Sequence, residues 1–203
     1  MITIERLMSI NKNDLHEASK NVDKSDLQQL VDWLSEKDDK VRYPALLILQ
    51  NRSMYFNDVY PFWDTLREKM KSENSYQRSI GLMLIAENTR WDEDNKIDDT
   101  IDDYLELLND EKPITVRQCI QALRSIVTYK SHLNSKIADR LMSINILDVK
   151  ETMRKVILLD ILDILTIIKK NQLTDEINSY IFKALTGEIL DKKSKKQVEA
   201  MLQ

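Results

Sequence analysis

Apolar residues return every three or four positions along most of this chain, and this spacing is typical of amphipathic α-helices. The clearest case is residues 40–50, KVRYPALLILQ, in which a short polar start leads into an apolar stripe. Three later segments repeat the pattern in variant form, at residues 75–88, 114–126 and 152–165. Each of the four segments is therefore predicted to be a helix with one buried face.

An arginine near the start of each segment shows the period of the pattern. Arg42, Arg78, Arg117 and Arg154 follow one another at intervals of 36, 39 and 37 residues. A nearly constant period of this length is typical of an α-solenoid, in which each repeat is a pair of helices. The predicted fold is all-α, a right-handed α-solenoid of about four to five helix pairs.

The repeat pattern runs across the middle of the chain, and no linker rich in Gly, Ser or Pro interrupts it. We therefore predict a single domain over residues 1–203. Residues 1–24 are predicted to form an N-terminal cap, residues 25–171 four helix-pair repeats, and residues 172–203 a C-terminal pair or cap. Such caps are expected because the terminal repeats of a solenoid must cover an otherwise open core.

Two residues inside the predicted helices carry information about local geometry. Pro44 fits the first turn of a helix that starts near Val41, where a missing N–H costs little. Gly81 follows Arg78 by three positions, although glycine weakens a helix by about 1 kcal/mol. A close approach of two helices is the simplest reason for a glycine at this position.

The composition supports a helical fold and narrows the cellular setting. The chain has two glycines and three prolines, too few for the turns of a strand-rich fold, and its single cysteine, Cys119, excludes an intramolecular disulfide. The most apolar run, residues 156–168, is interrupted by Asp160 and Asp163 and is too short to span a membrane. The N-terminus lacks the apolar run of a signal peptide, so we predict a cytoplasmic protein.

The start of the first segment resembles the second helix of a HEAT repeat. The run Asp38-Asp39-Lys40-Val41-Arg42, followed by Ala45 and Leu46, has an acidic turn, a Val-Arg pair and a small residue three positions later. Looser copies occur at Asp110 with Val116-Arg117 and at Asp148 with Met153-Arg154, whereas the second repeat departs from the pattern. The resemblance to the HEAT/armadillo-like family implies a curved stack whose second helices line the concave face. It also implies that turn acids and helix arginines bridge neighbouring repeats.

The sequence allows two interpretations of the four arginines. They could form a row of guanidinium groups on the concave face that binds phosphate or carboxylate groups of a partner. They could instead be structural, paired with acidic residues near them in the sequence: Asp38, Asp39, Glu73, Asp110 and Asp148.

Charge is segregated along the chain, although the whole protein has a net charge of only −4. Residues 92–111 hold ten acidic residues against Lys96 alone, a net charge of −9, whereas residues 112–203 have a net charge of +6. The acidic stretch could steer a basic partner or exclude nucleic acid. It could equally be a solvated helix face.

Aromatic residues suggest two further surfaces. Tyr55, Phe56, Tyr60, Phe62 and Trp63 form the densest aromatic cluster, which would be either an anchor for a partner or the core between two repeats. Trp91 is followed by Asp92, and HEAT-like DNA alkylation-repair glycosylases use aromatic and carboxylate side chains on a damaged base. Such enzymes also need a positive groove for DNA, whereas this region is the most acidic in the chain.

No cofactor, metal or catalytic motif is recognisable. His16 and His132 are isolated, and a zinc site needs three or four ligands. We therefore expect a non-enzymatic scaffold or adaptor that binds a protein or peptide on its concave face. The alternatives are a nucleic-acid-binding module resembling HEAT-like DNA alkylation-repair glycosylases, and a homodimerisation scaffold. The candidate partner-binding residues are Arg42, Arg78, Arg117, Arg154, Tyr60, Trp63, Trp91 and Asp92.

Overall fold

The computed structural model describes residues 2–11, 14–171 and 174–202. The other residues, Met1, Lys12, Asn13, Gln172, Leu173 and Gln203, belong to the predicted N-terminal cap and C-terminal pair, and those parts of the prediction lie outside the described residues. All regular structure in the described ranges is helical, which confirms the all-α prediction there.

The helices alternate with short turns, and several first helices of the predicted pairs are shorter than the second helices. Single 3-10 turns at residues 60–62 and 107–109 extend two of the short helices. The α-helices are α1 Ile4–Ser9, α2 Leu15–Lys20, α3 Leu27–Trp33, α4 Asp39–Ser53, α5 Trp63–Met70, α6 Ser75–Asn88, α7 Ile101–Glu106, α8 Pro113–Tyr129, α9 Asn134–Met142, α10 Glu151–Asn171, α11 Asp175–Thr186 and α12 Lys192–Met201.

The chain divides into two compact units, Met1–Tyr104 and Leu105–Gln203. Unit 1 holds α1 to α6, unit 2 holds α8 to α12, and the sequence boundary falls inside α7.

Unit 1 is built around α4, which packs against α1, α2, α3 and α6. Its Ala45, Ile48 and Leu49 side chains are fully buried. The side chain of Asp38 accepts a hydrogen bond from the backbone N–H of Lys40, and this cap starts the helix at Asp39. Because the helix starts earlier than predicted, Pro44 lies inside it rather than in its first turn.

Unit 2 is built around α10, a 21-residue helix that packs against α8, α9, α11 and α12. The side chains of Ile161, Leu162, Ile164 and Leu165 are fully buried in this unit. No helix among the described residues is both long and apolar enough to cross a membrane.

Gly81 lies where α6 crosses α5, and the predicted close approach of two helices is confirmed. A Cβ atom on this residue would lie 2.6 Å from the carbonyl oxygen of Leu66 and 2.9 Å from both the backbone nitrogen and the Cγ atom of Met70. Two of these three atoms belong to the α5 backbone, which cannot move aside as a flexible side chain can.

The substitution Gly81→Ala should therefore destabilise the protein, even though alanine is the better helix former. We expect the free energy of unfolding to fall by about 1–3 kcal/mol, the usual cost of overpacking, as measured by urea denaturation followed by circular dichroism. Gly187→Ala is the control, because its Cβ would approach only carbonyl oxygens of its own helix end, at 3.0 and 3.8 Å. A stabilised Gly81→Ala variant would contradict the tight contact of α5 with α6.

Candidate functional site

Three of the four aligned arginines bind the backbone of the turn that leads into their own helix. In unit 1, Arg42 Nη1 donates to the carbonyl oxygen of Glu36 at 2.9 Å, and Arg78 Nη1 donates to those of Ser72 and Glu73 at 2.9 and 2.8 Å. Arg42 is also ion-paired with Asp39.

Arg154 makes the same kind of contact in unit 2. Its Nε and Nη2 atoms donate to the carbonyl oxygens of Val149 and Leu147, at 2.9 and 2.8 Å. Carbonyl groups at the end of a helix or in a tight turn lack partners in regular structure, so these guanidinium groups satisfy them and hold the turn against the helix.

Arg117 instead joins two helices of unit 2. Its Nε and Nη2 atoms donate to the carboxylate of Asp160 in α10, at 2.7 and 3.3 Å, and this hydrogen bonding raises the pKa of the arginine. Gln121 donates to the same carboxylate at 3.0 Å, and Arg124 is ion-paired with Asp163. The two aspartates that interrupt the apolar run of α10 therefore hold α8.

A buried arginine of unit 1 with six hydrogen bonds has no equivalent in the repeat alignment. Arg52, near the end of α4, is only 4% exposed and donates from Nη1 to the carbonyl oxygens of Ser19, Lys20 and Val22, at 2.9, 3.1 and 2.9 Å. Its Nε and Nη2 atoms bind both carboxylate oxygens of Asp58, the shortest at 2.6 Å. One buried guanidinium group thus ties α2 and the turn after α4 to α4 itself.

Asp92 is likewise occupied by its own loop. The carboxylate is 2% exposed and accepts hydrogen bonds from the backbone N–H groups of Lys96 and Ile97, at 2.8 and 3.0 Å. The hydroxyl of Tyr60 donates to it at 2.8 Å. Burial, and secondarily the contact with Asp92, raises the pKa of Tyr60 well above its ordinary value.

The two candidate tryptophans also anchor this region. Trp63 is 1% exposed, stacks edge-on with Tyr60 at 5.6 Å between ring centroids, and donates from Nε1 to the hydroxyl of Thr100 at 3.1 Å. Trp91 is half-buried, and its Nε1 donates to the carbonyl oxygen of Ser53 at 2.7 Å. Trp63 therefore belongs to the core of unit 1, whereas part of Trp91 stays at the surface.

The predicted aromatic cluster is thus divided between core and surface. The surface part begins where α4 ends, at three consecutive exposed side chains: Met54 and Tyr55 are each 44% exposed and Phe56 is 36% exposed. Arg90 Nη1 donates to the carbonyl oxygen of Met54 at 2.6 Å. We name Met54, Tyr55, Phe56, Arg90 and Trp91 the aromatic corner.

An acidic loop, residues 92–100, continues directly from the aromatic corner. Its exposed acidic side chains are those of Glu93, Asp94, Asp98 and Asp99, and the loop contains one basic residue, Lys96. The Nζ atom of Lys96 lies 5.2 Å from the ring centre of Tyr60. Because the buried Asp92 carboxylate pins the backbone, the exposed carboxylates are carried on a fixed loop.

The described residues include no group of three or more His, Cys, Asp or Glu side chains that could hold a metal ion. Cys119 is fully buried in α8, and this burial raises the pKa of its thiol well above the ordinary range. Comparisons with protein-family models, with curated proteins and with solved structures found no match to this chain.

Replacing Arg52 should test its importance for unit 1. Arg52→Met leaves three carbonyl groups and the carboxylate of Asp58 without their buried partner, so we expect a loss of about 3–5 kcal/mol in the free energy of unfolding. The measurement is urea denaturation followed by tryptophan fluorescence.

The matched control is Arg67→Met in the same unit. Arg67 pairs with Asp103 at 2.9 Å, but the two side chains are 31% and 40% exposed, so its loss should cost about 1 kcal/mol or less. Equal effects of the two substitutions would show that Arg52 has no special weight in the stability of the unit.

Proposed function

We propose that this chain is a non-enzymatic protein-binding module, and that the partner segment it binds is basic and carries apolar anchor residues. The binding surface in this proposal is the aromatic corner together with the acidic loop. The proposal rests chiefly on one observation: three consecutive large apolar side chains are exposed beside several carboxylates on a loop whose backbone Asp92 holds.

The composition of the aromatic corner supports a role in binding. Tyrosine, tryptophan and arginine are the residues most enriched among those that carry interface energy, and methionine and phenylalanine are also enriched at interfaces. Trp91 and Arg90 donate hydrogen bonds to the carbonyl oxygens of Ser53 and Met54, so the backbone of the corner is held in place before any partner arrives. Such preorganisation reduces the entropy lost on binding.

The acidic loop supports the choice of a basic partner. Exposed like charges on one surface steer an oppositely charged molecule and speed its association. Nucleic acid carries the same sign as the loop, and phosphate neutralisation by basic residues supplies much of its affinity for proteins. The charge of the loop therefore disfavours the nucleic-acid-binding alternative, which a labelled DNA duplex tests.

The four aligned arginines are not part of the proposed binding surface. Arg42, Arg78, Arg117 and Arg154 have hydrogen-bond partners within the chain, so a partner would compete with contacts that already exist. We therefore assign binding to the aromatic corner and the acidic loop, and a structural role to the four arginines.

We further propose that the helix pairs stack as in a HEAT-like right-handed α-solenoid. The packing of α4 on α6 within unit 1, and of α8 on α10 within unit 2, supports this arrangement. In both cases the second helices of successive predicted pairs are neighbours, as repeat stacking requires.

A labelled amphipathic peptide of leucine and lysine tests the binding proposal by fluorescence anisotropy, alongside the peptide with glutamate in place of lysine. We expect the basic peptide alone to bind, with affinity that falls as salt screens the acidic loop. The double substitution Met54→Ala and Tyr55→Ala should weaken binding about tenfold or more because it removes two anchors. Phe182→Ala is the control, because Phe182 is 66% exposed but lies in α11 of unit 2.

Reversing charges on the acidic loop tests its contribution to binding separately from that of the aromatic corner. Glu93→Lys together with Asp99→Lys should also weaken binding of the basic peptide and flatten its salt dependence, whereas Glu199→Lys in α12 should change neither. A labelled DNA duplex at low salt is the third arm of the experiment. If the DNA duplex binds and the basic peptide does not, the nucleic-acid-binding alternative would be favoured over our proposal.

A further inference from the structure

A polar groove of about 440 Å³ opens in unit 1, on a different part of the unit from the aromatic corner. One side is the turn between α3 and α4, with Glu36 and Lys37, and the other is formed by α5 and the start of α6, with Glu68 and Lys69. Arg42 lies along the same groove, and Tyr76, at 62% exposure, stands 5.0 Å from its guanidinium group.

Lys69 is a cationic residue of this groove whose two hydrogen-bond partners are both uncharged. Its Nζ atom donates to the hydroxyl of Ser35 at 2.7 Å and to the side-chain oxygen of Gln77 at 2.8 Å, both of which are neutral. Across the part of the chain that the structure describes, no carboxylate is ion-paired with it, although the side chain is partly buried. Burial lowers the pKa of this ammonium group, with Asp32 opposing that effect from a longer distance.

The ammonium group is also held in one position. Gln77, which accepts from Lys69, donates its own side-chain N–H to the carbonyl oxygen of Leu34 at 2.7 Å. An ammonium group has three N–H donors, and two of those of Lys69 are used by Ser35 and Gln77. One donor therefore remains for a ligand in the groove, on an ammonium group that has no directly ion-paired carboxylate among the described residues.

The charges around the groove indicate the class of ligand. Arg42 is already paired with Asp39, and Glu68 with Lys71, whereas Lys69 has no carboxylate paired with it in the described ranges. Three cationic side chains, those of Lys37, Arg42 and Lys69, face the two carboxylates of Glu36 and Glu68. The glutamates would repel a polyanion. A peptide with a single carboxylate would suit both charges, because its carboxylate would pair with the cations and its amide N–H groups would face the glutamates.

We propose that this groove binds the carboxylate of a peptide, either a C-terminal carboxylate or an Asp or Glu side chain, and that Lys69 is the residue that binds it. The ring of Tyr76 supplies an apolar surface for the neighbouring peptide residue. This site is independent of the proposed aromatic corner, because it uses other residues and a ligand of the opposite charge.

The test uses the full chain with ¹³C-labelled lysine side chains, whose Cε signals report each ammonium pKa. Three short N-acetylated alanine peptides serve as probes: one with a free C-terminal carboxylate, one amidated with an internal glutamate, and one amidated and uncharged. We expect the Lys69 pKa, which burial lowers in the free protein, to rise when a carboxylate peptide binds, because a nearby negative charge favours the protonated form.

Variants distinguish binding by Lys69 from a structural role. Lys69→Met should weaken carboxylate binding about tenfold or more by removing a charge-assisted hydrogen bond, and Lys69→Arg should restore part of it. Lys24→Met, at an exposed position in residues 24–26, should leave binding unchanged. The titration of the ¹³C-labelled wild-type protein stays informative even if Lys69→Met proves unstable.

Each outcome bears on the proposal. A response to the first probe alone assigns the groove to C-terminal carboxylates, a response to the second alone assigns it to acidic side chains, and a response to both supports carboxylate binding in general. Equal binding of the uncharged probe, tighter binding of inorganic phosphate, or an unchanged Lys69 signal with every probe would overturn it.

Discussion

The buried guanidinium group of Arg52 is the constraint around which unit 1 is organised. A charge with 4% exposure is tolerable only if its hydrogen bonds are made, and Arg52 makes them to three backbone carbonyl groups and to Asp58. Those partners belong to α2, to the segment after it and to the turn after α4. The position of each of these segments is therefore tied to a single side chain of the central helix.

Unit 2 also has charged side chains on its central helix, and these are aspartates. Its central helix, α10, carries Asp160 and Asp163 on a largely apolar surface, and both are paired with arginines of α8. Asp160 is 13% exposed and its partner 29% exposed, so this pair is partly shielded from water, whereas Arg124 is 57% exposed. We therefore expect the Arg117–Asp160 pair to stabilise unit 2 more than the exposed Arg124–Asp163 pair does.

Satisfied polar groups also explain why the two proposed binding surfaces are where they are. Asp92, Trp63 and all four aligned arginines have hydrogen-bond partners within the chain, so they hold loops, turns and helices in place. Other groups stand on that framework at or near the surface: the side chains of Met54, Tyr55 and Phe56, the exposed carboxylates of the acidic loop, and the partly buried ammonium group of Lys69. A fixed framework with a few accessible groups suits recognition of a partner.

The helices, their approximate bounds and the close contact at Gly81 were predictable from the sequence, because these depend on local spacing and on the size of one side chain. The partners of the polar side chains instead depend on how the helices pack. Arg117 bonds to Asp160, 43 residues away, and not to an acidic residue of the turn before its helix. The role of Arg52 could not be predicted from the repeat period, because Arg52 is not one of the repeated arginines. The aromatic cluster likewise divides into buried Trp63 and exposed Tyr55, although both lie in one short stretch. Hydrogen bonds of this kind require side chains distant in sequence to meet within about 3 Å, and helix periodicity carries no information on such meetings.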